Sequence, residues 1–182
     1  MGERGDTLII VIVIGLSVIL MFIFPLMTMG DRADDITQAT VDAATREFVD
    51  NVCTKGKITP EDLTTFRQKI NSTGYLYVVE IQVKVLDENP SKKSVQVSRD
   101  KIGENLYYNI ETSQITDVVE PERGTPKAYL LKEGDLIYVT VRSASQGISE
   151  QMRNFFYTVI GDDTYNIASS ESGMSRTTGS EN

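Results

Sequence analysis

No residue between Asp6 and Asp31 is charged, and residues 8–27 read LIIVIVIGLSVILMFIFPLM, broken only by Gly15, Ser17 and Pro25. Twenty residues at ~1.5 Å rise make a helix of ~30 Å, the hydrocarbon thickness of a bilayer. A helix that is apolar on every side suits lipid better than a protein core, where helices of this length usually keep a polar stripe. A cleaved secretory signal has a shorter apolar run, roughly 7–15 residues, and a small-x-small exit; neither is present here. The sequence therefore predicts a membrane-spanning helix over residues 7–29, preceded by a short leader, 1–6. An extracytoplasmic domain over 30–168 and a disordered tail over 169–182 are expected to follow.

The flanks set the expected orientation. Arg4 is the one basic side chain before the run, whereas Asp31, Arg32, Asp34 and Asp35 follow it. The positive-inside bias then keeps the N-terminus cytoplasmic and sends the C-terminal domain outward, as a single-pass membrane protein. Pro25 lacks a backbone N–H, so it removes one helix hydrogen bond and is expected to kink the helix near the outer surface.

Of the 26 acidic and 18 basic residues, only Glu3, Asp6 and Arg4 precede the run, which leaves 24 acidic and 17 basic groups beyond it. These are interspersed, without the basic stripe that phosphate binding draws on, so nucleic acid is not an expected partner. Cys53 is the only cysteine, so an intrachain disulfide is impossible and the domain has to rest on its own apolar core. The expectation for Cys53 itself is a small buried thiol on a helix.

Along the domain, Ile36, Thr40, Ala44, Phe48 and Val52 recur every fourth residue, with Val41 and Val49 beside them, which predicts a helix over 33–52 stopped at Gly56. Together with the span it forms an N-terminal helical rod. Thr59-Pro60-Glu61-Asp62 supplies a capping hydroxyl, a first-turn proline and two acids at the positive end of a helix dipole. A second helix follows, with Leu63, Phe66 and Ile70 on one side and Gly74 at its end. Asn71-Ser72-Thr73 matches a glycosylation sequon, but at this helix end the expectation is a simple polar cap.

After Gly74 the period changes to two: Tyr77, Val79, Ile81, Val83 and Val85 alternate with Val78, Glu80, Gln82 and Lys84 in a long half-buried strand. Asp87-Glu88-Asn89-Pro90 is a turn, and short strands are expected over 94–98, 105–110 and 114–119. Residues 120–126 form an exposed loop. Ile137, Val139 and Val141 mark a second clear strand, expected beside the first in one antiparallel sheet. A short helix around 148–155 and a last strand over 156–160 or 164–168 complete the expected elements. The fold class is thus α+β: a long N-terminal helix, membrane-embedded in its inner half, and a short second helix packed on an antiparallel sheet.

Catalytic chemistry finds little footing. With no histidine, His-based nucleophile activation and His-ligated metal sites are excluded. There is no glycine-rich phosphate loop and no spaced acidic calcium loop. Asp34-Asp35 and Asp162-Asp163 are adjacent pairs whose side chains diverge on helix and strand alike; the first reads as interfacial and the second as a turn. Tyr75, Tyr77, Tyr107, Tyr108, Tyr129 and Tyr138 suit sheet surfaces or a protein contact, since no basic residues are interleaved for stacked bases. No enzyme activity, cofactor or metal is expected.

The N-terminus, MGERGDTLIIVIVIGL, has a short leader with one arginine, Gly5, the triplet Thr7-Leu8-Ile9, an apolar run and Pro25 near its end. In this it resembles the type IV pilin-like proteins, in which a prepilin peptidase cuts after the glycine. Size, a second helix before the long first strand, and Gly134-Asp135 leading into a late strand look most like the TadE-like minor pilins, or pseudopilins, of tight-adherence pili. The resemblance implies cleavage between Gly5 and Asp6 and a structural role in a pilus or secretion apparatus. It also implies homo- or hetero-oligomeric partners, other pilin-like or envelope proteins, met through the N-terminal helix. The chain departs from that pattern at Ile10, where the family usually carries glutamate, and Asp6 is an unusual first residue. The alternative is a bitopic protein whose outer domain binds a partner in an envelope or conjugation complex.

Overall fold

A computed structural model describes residues 3–86, 107–144 and 167–180. The described residues fall into two compact units, one reaching Thr37 and the other beginning at Gln38. In chain order the elements are α1 (Glu3–Lys55), β1 (Lys57–Ile58), α2 (Pro60–Asn71), β2 (Tyr77–Leu86), β3 (Tyr107–Ile110), α3 (Thr112–Val119), β4 (Tyr129–Leu130), β5 (Leu136–Ser143) and β6 (Ala168–Met174). The strands form two antiparallel sheets, β1-β4 and β3-β2-β5-β6. The fold is α+β, as the change of hydrophobic period predicts.

From Gln38 onward α1 buries Val41, Ala44, Phe48, Val49 and Val52 of the stripe read from the sequence, together with Cys53, while Thr40 is half-buried and Ile36, one turn earlier, is exposed. Gly56 ends it at φ +65°, and a side chain there would meet Thr177 O at 2.5 Å and Gly179 N at 2.7 Å. Thr59 caps α2, its hydroxyl accepting the Asp62 N–H at 3.1 Å, with Pro60 in the first turn. Leu63, Phe66 and Ile70 are buried, and the Phe48 and Phe66 rings stack with centroids 4.6 Å apart, so the apolar stripes of α1 and α2 meet there.

The two clear strands are neighbours. β2 and β5 pair from Tyr77↔Ser143 to Lys84↔Leu136, which aligns Val79 with Val141, Ile81 with Val139 and Val83 with Ile137 on the core face. Five of these six side chains are buried, and Val79 packs half-buried against them. Burial of such a row stabilises by about 1.5–3 kcal/mol per large side chain. The other face carries Glu80, Gln82, Lys84, Tyr138, Thr140 and Arg142, half-buried or exposed.

Two expectations are corrected. Residues 114–119 lie in α3, not in a strand. Glu111 and Gln114 form a reciprocal cap, and Ile115 and Val119, four apart, are both buried, a helical spacing that a short apolar run does not distinguish from a strand. Residues 169–182 are not wholly a loose tail either, because β6 pairs with β5 from Ala168↔Arg142 to Met174↔Leu136. The strand is small and polar, yet its backbone completes the sheet, Ser169 is buried, and its small side chains admit a close approach to α1. A Cβ on Gly173 would lie 2.6 Å from Cys53 Sγ and 2.9 Å from Val49 Cγ1. Beyond β6 the chain is held by Arg176 N–H to Cys53 O at 2.9 Å, Gly179 N–H to Leu131 O at 2.8 Å and Lys57 Nζ to Ser180 O at 3.1 Å.

Of the expected strand over 105–110, Tyr107 to Ile110 form β3. The expectations for 87–90, 94–98, 148–155, 156–160 and Asp162-Asp163 lie outside the described residues, as do 164–166 of the alternative last strand.

Candidate membrane-contact helix

Within α1, Gly5–Phe22 is long and apolar enough to cross a membrane, the one such stretch among the described residues. Every side chain from Gly5 to Phe22 is exposed: Leu8, Val11, Ile14, Leu16, Val18 and Ile19 all present half or more of their surface. Leaving so many large apolar groups in water would forgo about 1.5–3 kcal/mol each relative to burial. Backbone polarity is no obstacle to lipid, because a helix pairs its N–H and C=O groups internally.

The junction residues Gly5 and Asp6 both lie in the first turns of α1 and are exposed, and a Cβ at Gly5 would meet nothing within 4 Å. Pro25 lies inside α1 and is exposed. Its ring removes a donor from the helix ladder and leaves the carbonyl one turn earlier without that partner. Leu20, Met21, Thr28, Met29 and Arg32 line a shallow groove beside it. Asp34 and Asp35 diverge as adjacent helical residues must: Asp34 is buried and Asp35 exposed.

Among the described residues no group of three or more His, Cys, Asp or Glu side chains could hold a metal ion. Cys53 is a free, buried thiol, and burial pushes its pKa up, away from the reactive thiolate. A narrow cleft between α1 and α2 is lined by Glu47, Asn51, Asp62 and Lys69, but its charges are already matched: Glu47 to Lys69, and Asp62 to Lys55 at 2.7 Å. For Asp62, partial burial favours the protonated acid, yet the hydrogen bonds and charge of Lys55 with the Thr59 contacts outweigh it and hold the carboxyl below its usual value.

The six tyrosines singled out from the sequence do not make one platform. Tyr75, Tyr77 and Tyr129 pack against the core, and burial raises the Tyr129 pKa. Tyr138 lies on the opposite sheet face, with Lys84 Nζ 4.7 Å from its ring centre. Tyr107 and Tyr108, adjacent on β3, point to opposite sides.

Gly134-Asp135 has a structural explanation that spacing alone does not reveal. Gly134 turns the chain at φ +94°, and the buried Asp135 carboxylate accepts the Lys132 N–H at 2.8 Å and the Leu86 N–H at 3.0 Å. Asp135 O also accepts the Ser175 N–H at 2.7 Å. One residue thereby ties the β4–β5 turn to the end of β2 and to the segment after β6. The signal in the sequence, a Lys-Glu-Gly-Asp turn before an apolar strand, marks the turn but not its distant partners.

Comparison with protein-family models, curated proteins and solved structures found no match to this chain.

Proposed function

We propose that this chain is a structural subunit of a surface or envelope assembly, anchored as a single-pass membrane protein, and that it acts as a minor pilin or pseudopilin-like component of a type IV-like, tight-adherence pilus or secretion apparatus. The observation that carries the anchoring is the fully exposed apolar surface of Gly5–Phe22. The pilin-like reading adds the leader with Arg4, the Gly5-Asp6 junction followed by Thr7-Leu8-Ile9, and Pro25 within the same helix. In this reading the apolar helix is first solvated by lipid, with the N-terminus cytoplasmic and the domain outside. It then packs against the helices of other pilin-like subunits, where close van der Waals contact replaces lipid contact.

Ile10 supports a second reading. A helix that enters an apolar bundle after cleavage carries a free amine, and an unpaired charge there is costly; Ile10 offers it no carboxylate. An uncleaved bitopic protein, whose outer domain binds a partner in an envelope or conjugation complex, avoids that charge. Shearing surface filaments from the host and probing the filament and membrane fractions for this chain separates the two. A pilin-like subunit is recovered in the filament fraction, whereas a chain confined to the membrane fraction contradicts the filament reading.

A further inference from the structure

The Asn71 side chain, at the end of α2, takes no part in the packing or hydrogen bonding of the described residues. Asn71-Ser72-Thr73 is the only Asn-x-Ser/Thr triplet in the chain without proline at its centre. At the end of α2 the two hydroxyls act as caps: Ser72 Oγ donates to Lys69 O at 2.7 Å, and Thr73 Oγ1 donates to Ile70 O at 2.8 Å and lies 2.9 Å from the Tyr77 hydroxyl. They satisfy carbonyls that a helix end leaves without partners. Asn71 contributes its backbone oxygen to the Gly74 N–H at 3.1 Å, but its carboxamide is exposed and has no hydrogen-bond partner among the described residues. Capping accounts for Ser72 and Thr73 and leaves the asparagine unexplained.

We propose that Asn71 is an acceptor for an N-linked glycan, a site that rests on the reading of the domain as extracytoplasmic. The donor class is a lipid-linked oligosaccharide phosphate. The Asn71 amide nitrogen attacks the anomeric carbon and an N–C bond forms. The C–O bond to phosphate breaks, the lipid phosphate leaves with the electron pair, and the amide gives up one proton to a base. Nothing is oxidised or reduced. In the fold the acceptor is the last residue of α2, and Ser72 N–H is bound to Gln68 O at 3.0 Å. Transfer to an extended triplet therefore precedes closure of that last turn, as the chain emerges. Afterwards the glycan sits at an exposed helix end, while its neighbour Ile70 stays buried, so the added bulk displaces no core side chain.

The test is glycopeptide mass spectrometry of the full-length protein from its host's membranes, with protease accessibility of the domain measured on intact cells. The tryptic peptide 70–84 is expected to carry a hexose- or hexosamine-containing mass. That mass is expected to disappear in Asn71→Gln and Thr73→Ala and to persist in Thr73→Ser, with the same protease-resistant core in all three variants. An unmodified Asn71 on a domain that external protease reaches overturns the site while leaving the anchored reading intact. A domain whose cleavage sites open to protease only once the cytoplasmic membrane is lysed overturns both.

Discussion

At the scale of single residues, contact distances and burial set the expectations. Gly173 leaves no room for a side chain against Cys53 and Val49. Gly173→Ala is expected to destabilise the detergent-solubilised protein by about 1–3 kcal/mol in chemical denaturation, and Cys53→Ala in the same chain to recover part of that loss. A glycine in a polar strand does not announce such a contact in sequence, because its partners lie some 120 residues earlier along the chain. Asp62 makes a pH prediction. Its carboxyl is held below the ordinary value, so on acidification the unfolded chain takes up the proton first. Its contribution is whole above about pH 4, the ordinary carboxylate range, and is lost as pH falls through the depressed native value. Asp62→Asn is expected to flatten the acid limb of the stability curve in that window. Lys55→Met, which removes the leading cause of the lowered pKa and leaves the opposing burial, narrows the gap between native and unfolded values and should flatten the same limb. Cys53, buried and raised in pKa, is expected to react with a thiol reagent only on unfolding.

At the scale of elements, α1, α2, β2 and β5 were legible because each carries a long and unambiguous period, and α2 also carries its own start signal at Thr59-Pro60. α3 was not, since Ile115, Val118 and Val119 in an eight-residue helix fit either period and the cap between Glu111 and Gln114 decides the matter. β6 was hidden more deeply: Ser, Glu and Gly have little to bury, and the strand exists because β5 offers it a backbone edge and α1 a close surface. Thr112 shows a related device. Its hydroxyl donates to Ile81 O at 3.0 Å and accepts the Ile81 N–H at 2.8 Å, continuing the ladder on β2 where β3 has ended and α3 begins. Thr112→Val is expected to leave both backbone groups unpaired and to destabilise by about 1–3 kcal/mol. Pro25→Leu restores the missing helix donor. In the pilin-like reading it is expected to impair recovery of the chain in sheared filaments more than its insertion in the membrane fraction, and equal filament recovery would remove any role for a bend at Pro25.

At the scale of the whole molecule, one helix carries two kinds of surface. Its first turns present apolar surface with nothing of the described chain upon it, and its turns from Val41 to Cys53 supply the buried stripe of the domain. A chain ending at residue 167 is expected to lose the folded domain, since it strips the outer edge of β5 and the Arg176 and Gly179 hydrogen bonds. A full-length-like protease-resistant core in that truncation would mean that β6 is dispensable. The apolar candidate span and the α+β class were readable from composition and period. The proposed cleavage junction rests on a handful of residues around Gly5, and among the described residues no packing or hydrogen bond distinguishes Gly5 or Asp6 from its neighbours. Chemistry at that junction is therefore the sharpest test of the proposed subunit role: N-terminal peptide mass spectrometry of the mature chain from its host's membrane. A mature chain beginning at Asp6 is the predicted result, and a chain still beginning at Met1 would contradict processing into a pilin-like subunit and leave the uncleaved envelope component in its place.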